Sequence, residues 1–238
     1  MLSSPLASAT FLVSPATSIA GCFWGFSRMQ GLVKGAGRVL IALWLMLFML
    51  PGYSAPKTLL VLGDSISAEY GLPRNTGWVS LLQQRLNEEK HSVAIINASI
   101  SGETSAGGLT RLPALLQQHK PAMVIIELGG NDGLRGLSLA ATQANLREMI
   151  KSTERTGARV LLLGMQVPPN YGPDYSKRFA AMYQGLARER SVKLVPSFFS
   201  GLEDTDKYFQ TDRIHPNQRA QSILLDNVWL ALKTQLLK

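Results

Sequence analysis

Residues 58–67 read TLLVLGDSIS, a short apolar run that ends in a glycine and a polar turn. Apolar runs of four to eight residues without polar alternation are typical of strands buried on both faces of a parallel sheet. Four similar runs follow along the chain: SVAIIN (92–97), AMVIIEL (122–128), ARVLLLGM (158–165) and VKLV (192–195). The sequence therefore predicts a series of buried strands that begins at 58–62.

Longer amphipathic stretches separate the predicted strands. In the first of them, 78–90, Val79, Leu82 and Leu86 lie at helical spacing. The others cover 105–119, 138–156, 174–190 and 217–237. Strands that alternate with helices in this way predict an α/β fold with an open parallel sheet covered on both faces. No repeat or linker interrupts the alternation, so about 180 residues are expected to form one domain with one core.

Composition and charge exclude several classes of protein. With 46% hydrophobic and 17% charged residues, the 238-residue chain is too apolar to be disordered. Its single cysteine, Cys22, excludes internal disulfides and cysteine-based zinc sites. The net charge is +8, but residues 1–55 hold three basic residues and no acidic one, which leaves +5 for 56–238. The basic residues are scattered, so we expect no nucleic-acid partner; a non-enzymatic protein that binds an anionic membrane surface is the alternative.

The N-terminal segment has the pattern of a secretory signal peptide. Lys34 and Arg38 precede an unbroken apolar run, 39–50, and small residues follow it. As a helix this run would span roughly 18 Å, short of a ~30 Å hydrocarbon core. Cleavage after Ser54 and cleavage after Ala55 are both open, and either predicts export to the periplasm without a stable membrane anchor.

The start of translation decides the length of this signal. Counted from Met1 it would have about 54 residues, more than the usual 15–30, whereas from Met29 it would have about 26. We therefore expect translation to start at Met29, with 1–55 an N-terminal extension and signal peptide and 56–238 the folded domain. A membrane anchor that is never cut is the alternative. Residues 19–22, IAGC, match a lipoprotein cleavage box, but no basic residue precedes them and we interpret the match as coincidence.

Small and polar residues follow each predicted strand. Ligands of open parallel sheets bind outside the carboxyl ends of the strands, so these segments are candidates for a functional site. They read GDSIS (63–67), ASISGET (98–104), GGND (129–132), QVPPNYG (166–172) and, after the last strand, TDRIHP (211–216).

Two of these segments suggest nucleophilic catalysis. Ser65 lies between a predicted strand and a predicted helix start, where its hydroxyl can point into a cleft or simply cap the helix. Asp212 lies three residues before His215. A carboxylate at that spacing can reach Nδ1 and leave Nε2 free to accept a serine proton. The alternative for this pair is an ordinary surface histidine beside an acid.

A serine hydrolase also needs hydrogen-bond donors for the developing oxyanion. Gly102 can offer an unobstructed backbone N–H and Asn131 its side-chain amide, although each alone is as readily an ordinary turn residue. Ser65, Gly102 and Asn131 follow three successive predicted strands, and this combination favours a serine hydrolase. The sequence has no GxSxG elbow, P-loop, GxGxxG turn or metal-ligand cluster, and we expect no cofactor.

The same segments carry a family resemblance. The blocks that resemble those of the SGNH (GDSL) hydrolases are GDSIS (63–67), SISGET (99–104), GGND (129–132) and DRIHP (212–216). Stretches similar to the subgroup of bacterial periplasmic thioesterases, lysophospholipases and arylesterases are 97–116, 127–136 and 168–172. The resemblance implies a flavodoxin-like, three-layer α/β/α sandwich with a five-stranded parallel sheet in the order 2-1-3-4-5.

The resemblance also implies roles for single residues. Ser65 would be the nucleophile, His215 the general base and Asp212 the residue that orients His215. The oxyanion hole would consist of the N–H groups of Ser65 and Gly102 and the side chain of Asn131. No metal or organic cofactor is implied.

The implied substrates are small-molecule acyl esters and thioesters, namely aryl esters, acyl-CoA thioesters and lysophospholipids. A carbohydrate O-acetylesterase of the same family is the alternative, and we expect a monomer. One residue departs from the family pattern: Glu69, four residues after Ser65, stands where a small residue such as Gly or Ala is expected. We expect Glu69 to alter the edge of the cleft and the preference for acyl-chain length.

Overall fold

The computed structural model describes residues 56–190 and 192–236. The predicted signal peptide, its two cleavage positions and the Met29 start lie outside these residues and stay predictions. Within the described ranges, no helix is both long and apolar enough to cross a membrane.

A parallel sheet of five strands forms the centre of the described chain. In the order in which they lie side by side, its strands are β2 (Val93–Asn97), β1 (Lys57–Gly63), β3 (Met123–Glu127), β4 (Arg159–Leu163) and β5 (Lys193–Val195). Strand β1 pairs with β3 from Leu59 opposite Met123 to Gly63 opposite Glu127. The predicted strand order 2-1-3-4-5 is confirmed.

Helices cover both faces of this sheet. They are α1 (Trp78–Glu88), α2 (Ser105–His119), α3 (Gly130–Leu134), α4 (Leu139–Arg155), α5 (Pro173–Arg190), α6 (Thr205–Tyr208) and α7 (Gln221–Leu236). Helix α1 packs against α7, whereas α4 packs between α2 and α5. The step from β1 to β2 runs across the sheet in the opposite direction to all later steps. Right-handed crossovers therefore put α1 on one face and α2, α4 and α5 on the other, which confirms the predicted three-layer sandwich.

The central strands supply the middle of the core. Every residue of β3 is buried, and Leu60, Val124 and Leu162 have exposed fractions of 0%. The middle residues of these strands are apolar without alternation because helices cover both faces of the sheet. Trp78 at the start of α1 is equally buried, and its ring meets that of Phe198 nearly edge-on at 5.4 Å.

The main differences from the predicted elements lie in short segments. Sequence reasoning missed α3, α6 and a 3-10 turn at Pro169–Tyr171, because three to five residues are too few to show a helical period. The predicted helix over 217–237 instead begins with a 3-10 turn at Gln218–Ala220, and α7 follows it.

Candidate active site

Ser65 lies two residues after the end of β1 and is 8% exposed. The helix start predicted beside it is wrong. The Ala68 N–H donates to the Asp64 carbonyl at 3.0 Å and the Tyr70 N–H to the Ser65 carbonyl at 3.1 Å, so the chain coils into turns. In the described part of the chain, the first helix begins only at Trp78. A tight loop at the carboxyl end of β1 therefore presents Ser65.

His215 lies in a loop whose ends are paired with each other. Phe209 and Pro216 form an isolated antiparallel bridge, and the Gln210 N–H donates to the His215 carbonyl at 2.8 Å. His215 Nε2 lies 2.9 Å from Ser65 Oγ, which is a hydrogen-bonding distance. The fold thus brings together two residues that are 150 positions apart in the sequence.

Asp212 contacts the other nitrogen of the same ring. Its Oδ2 lies 2.7 Å from His215 Nδ1, and its Oδ1 accepts the backbone N–H groups of Ile214 at 2.9 Å and His215 at 3.0 Å. Burial works against the charge of Asp212, but these hydrogen bonds outweigh it and hold the pKa of Asp212 below its usual value. An ionised Asp212 accepts from Nδ1–H, which leaves Nε2 to accept from the Ser65 hydroxyl.

Gly102 lies on the loop after β2, and Asn131 lies in the short helix that follows β3. Gly102 has a φ of +78°, in the left-handed region that favours glycine, and its carbonyl accepts from Arg135 Nη2 at 2.9 Å. Asn131 lies in the first turn of α3. The chain enters that helix through Gly129, whose φ is +108° and where a Cβ would lie 2.3 Å from Tyr183 Oη. Only glycine fits this bend, and the bend brings Asn131 to the carboxyl edge of the sheet.

Asn131 hydrogen-bonds to a buried carboxylate, Asp64, that sequence reasoning missed. Asn131 Nδ2 donates to Asp64 Oδ2 at 3.0 Å, and the Ile66 N–H donates to Asp64 Oδ1 at 3.0 Å. Asp64 is 2% exposed, and burial raises its pKa to about 6 although these hydrogen bonds and the nearby His215 act in the opposite direction. In the sequence nothing distinguishes Asp64 from an ordinary turn aspartate.

A second buried acid, Glu127, lies beside Asp64. It ends β3 with an exposed fraction of 0%, and its Oε2 accepts the Asp64 N–H at 3.1 Å and the Ser67 hydroxyl at 2.7 Å. Burial and the negative charge of Asp64 raise the pKa of Glu127 well above its usual value. Ionisation of Glu127 beside Asp64 is therefore unfavourable. The available sequence signal was an acid inside the apolar run AMVIIEL.

The carboxylate of Glu69 binds to its own loop. Glu69 has a φ of 58°, which explains why a small residue, above all glycine, is expected at this position. Its carboxylate accepts the N–H groups of Gly77 at 2.8 Å and Asn75 at 3.0 Å and the Ser80 hydroxyl at 2.7 Å. Partial burial opposes the charge, yet these three hydrogen bonds hold the pKa of Glu69 below its usual value. Glu69 thus closes the loop before α1, and its expected effect on chain length stays a prediction.

Exposed apolar side chains lie on the loops that carry the site. The ring of Tyr70 lies 4.3 Å from that of His215, and the Tyr70 carbonyl accepts from Gln210 Nε2 at 2.8 Å. The large apolar residues exposed on these loops are Tyr70 (50%), Ile100 (48%), Leu137 (44%) and Ile214 (39%). Tyr70, whose ring contacts that of His215, and Ile214, which precedes His215, give the His215 side of the site an apolar character.

The sequence profile of the GDSL-like lipase/acylhydrolase family matches residues 61–223, a range that contains every residue of this site. The chain belongs to this family. The resemblance to the SGNH (GDSL) hydrolases is thereby confirmed.

Curated members of this family are similar to the chain over most of its length. Esterase TesA of Pseudomonas aeruginosa is 53% identical over 79% of this chain and 94% of its own length. Thioesterase 1/protease 1/lysophospholipase L1 of Escherichia coli K12 is 42% identical, with 76% and 85% covered. Arylesterase of Vibrio mimicus is 45% identical, with 70% and 84% covered.

A solved structure agrees with these relatives. A crystal structure of TesA superposes with a TM-score of 0.74 at 54% identity and covers 75% of this chain and 99% of its own. This GDSL-family protein is therefore a hydrolase that acts on esters.

Replacing Glu69 by alanine should loosen the loop before α1, because the Gly77 and Asn75 N–H groups lose their acceptor. We expect hydrogen exchange at these two amides to become at least about tenfold faster, as measured by NMR. The amide of Ile125 in β3 is the internal reference and should not change. Glu69→Gln keeps one acceptor oxygen and should give a smaller increase. Unchanged exchange at both amides in Glu69→Ala would contradict this role of the carboxylate.

Proposed function

We propose that the protein is a serine esterase that hydrolyses acyl esters and thioesters through Ser65, His215 and Asp212. The observation that carries this proposal is a continuous chain of hydrogen bonds. It runs 2.9 Å from Ser65 Oγ to His215 Nε2 and 2.7 Å from His215 Nδ1 to Asp212 Oδ2. The same sequence of groups activates the nucleophilic serine of hydrolases on unrelated folds.

The proposed reaction proceeds through a covalent acyl-enzyme. Ser65 Oγ attacks the acyl carbonyl carbon while His215 Nε2 takes the hydroxyl proton, and Asp212 stabilises the resulting imidazolium. When the tetrahedral intermediate collapses, His215 gives that proton to the leaving alcohol or thiol. Water then attacks the acyl-enzyme by the same steps and releases the free acid and Ser65.

The proposed oxyanion hole consists of the Ser65 N–H, the Gly102 N–H and the Asn131 side-chain amide. Asn131 Nδ2 carries two hydrogens, and the hydrogen bond to Asp64 at 3.0 Å uses only one of them. The other hydrogen is available to a substrate oxygen. Donors that the fold holds in place before the substrate binds need no reorganisation when charge develops on that oxygen.

The apolar side chains on the site loops support the proposal that the substrates carry acyl groups longer than acetyl. The exposed apolar side chains on the site loops, Tyr70, Ile100, Leu137 and Ile214, can remove hydrocarbon from water. The relatives are named esterase, thioesterase, lysophospholipase and arylesterase, which supports the same substrate classes. We therefore propose aryl esters, acyl-CoA thioesters and lysophospholipids as substrates.

The proposed place of action is the periplasm. The apolar run at 39–50 after two basic residues supports export through a signal peptide. In this proposal the mature enzyme is a monomer without a stable membrane anchor.

Ser65→Ala should remove the nucleophile with little effect on folding, and kcat on a p-nitrophenyl ester should fall by about 10⁴ or more. His215→Ala should be about as damaging because the two residues act as one unit. Asp212→Asn should cost less, since it disturbs the orientation of His215 without removing a reacting group.

Ser67→Ala is the matched control for the nucleophile, because it removes the neighbouring hydroxyl of the same loop. It should cost at most about tenfold in kcat, with thermal unfolding measured in parallel for every variant. A Ser65→Ala enzyme that keeps a tenth of the wild-type turnover would show that another residue is the nucleophile. A fully active Asp212→Asn enzyme would separate Asp212 from the mechanism.

A chain-length series of p-nitrophenyl esters should distinguish the proposed substrates from those of a carbohydrate O-acetylesterase. We expect kcat/KM to rise from acetate to medium-chain esters, because each buried methylene contributes about 0.8 kcal/mol. Leu137→Ser should flatten this rise while leaving acetate hydrolysis nearly unchanged. Activity on acetate alone would favour the O-acetylesterase.

A further inference from the structure

We propose that Asp64 is a positioning residue for the hydrolytic reaction: its buried carboxylate holds the side-chain amide of Asn131 so that one N–H remains directed at the oxyanion. The proposal rests on the oxyanion role proposed above for Asn131. It gives a function to a buried acid that the Ser65–His215–Asp212 relay does not use.

The contact between Asp64 and Asn131 fixes the donor before the substrate arrives. Asn131 is only partly buried, and its Nδ2 donates to Asp64 Oδ2 at 3.0 Å. An amide group is planar, so fixing one Nδ2–H also fixes the direction of the second. A charged acceptor holds this hydrogen about twice as strongly as a neutral one. Without it the side chain would have to be ordered during the reaction, at a cost to transition-state stabilisation.

The same carboxyl residue also holds the backbone on both sides of Ser65. The Asp64 N–H donates to Glu127 Oε2 at 3.1 Å, and the Ile66 N–H donates to Asp64 Oδ1 at 3.0 Å. The Ser65 N–H, a second proposed oxyanion donor, lies between these two fixed amides. Asp64→Asn keeps the donor of the first contact and an acceptor oxygen for the second, so the charge of Asp64 matters chiefly for Asn131.

Glu127 supports Asp64 from the core side of the site. Two adjacent buried carboxyls cannot both ionise at low cost, and Glu127 is the more buried of the pair. Its Oε2 accepts the Asp64 N–H and the Ser67 hydroxyl, and the Ser67 oxygen accepts in turn from Trp78 Nε1 at 3.2 Å. Glu127 thus fixes the Asp64 backbone from inside the core, while the Asp64 carboxylate faces Asn131.

A double-mutant cycle tests whether Asp64 acts through Asn131. Wild type, Asp64→Asn, Asn131→Ala and the double variant are compared on a p-nitrophenyl ester, with kcat normalised to the fraction of protein that a fluorophosphonate labels. Asn131→Ala should lower kcat by roughly 10²–10³. Asp64→Asn should lower kcat by at least about tenfold and change KM less than about twofold.

In the Asn131→Ala background, Asp64→Asn should cause less than about a twofold further loss of kcat, because its target is already gone. If the two losses multiply, Asp64 does not act through Asn131 and the proposal is wrong, while the proposed function stands. If Asn131→Ala alone leaves kcat intact, the oxyanion role of Asn131 and the proposal on Asp64 are both wrong.

Asp132 provides the matched control, in which a different buried acid near Asn131 is neutralised. It is also 2% exposed, and its carboxylate accepts from the Ser105 N–H at 2.8 Å, from the Ser105 hydroxyl and from Thr142 Oγ1 at 3.2 Å. Asp132→Asn should destabilise the fold, and any loss of kcat should multiply with that of Asn131→Ala. If the losses of kcat caused by Asp132→Asn and Asn131→Ala do not multiply, the double-mutant cycle reports general damage to the site, and the proposal is overturned.

A measurement on the wild-type enzyme covers the case in which Asp64→Asn does not fold. The two side-chain amide protons of Asn131 can be identified by NMR, because they are absent from the spectrum of Asn131→Ala. The proton bonded to Asp64 should exchange with solvent at least about tenfold more slowly than the other. Equal exchange of the two protons would overturn the proposal.

Discussion

The hydrogen bond between Ser65 Oγ and His215 Nε2 is the contact on which the rest of the site depends. It joins the first loop of the sheet to the last, so it forms only when all five strands are assembled. The carboxyl ends of parallel strands supply one edge at which both loops emerge. The bridge between Phe209 and Pro216 then fixes the direction of His215 by bonds within its own loop.

The strand order creates the crevice in which this contact lies. The chain leaves β1 toward β2 on one side and enters β3 on the other, so the loops after β1 and β3 part at this point. Ser65 follows β1 and Asn131 follows β3, and the hydrogen bond from Asn131 to Asp64 joins these two segments. Environment sets the properties of the acids here: burial raises the pKa of Asp64, whereas hydrogen bonds lower that of Asp212.

Local sequence was sufficient for most of the fold and for the residues proposed to react. The apolar runs predicted the strands because burial on both faces of the sheet makes the sequence of each strand apolar by itself. His215 and Asp212 were found because their contact spans only three positions. The pairing of Asp64 with Glu127 joins residues 63 positions apart and was not predictable from either segment alone. The turns after Ser65 were missed because backbone hydrogen bonds from Ala68 and Tyr70 form them, and such bonds leave no pattern in the side chains.

The proposed roles of Ser65, His215 and the oxyanion donors are tested together by a crystal structure of the enzyme inactivated by an ethyl p-nitrophenyl alkylphosphonate, which loses p-nitrophenolate and keeps its ethoxy group. We expect phosphorus to be bonded to Ser65 Oγ, with the phosphonyl oxygen about 2.7–3.1 Å from the backbone nitrogens of Ser65 and Gly102 and from Asn131 Nδ2. The alkoxy oxygen should lie within hydrogen-bonding distance of His215 Nε2. Phosphorus bonded to another serine, or a phosphonyl oxygen directed away from Gly102 and Asn131, would contradict the account.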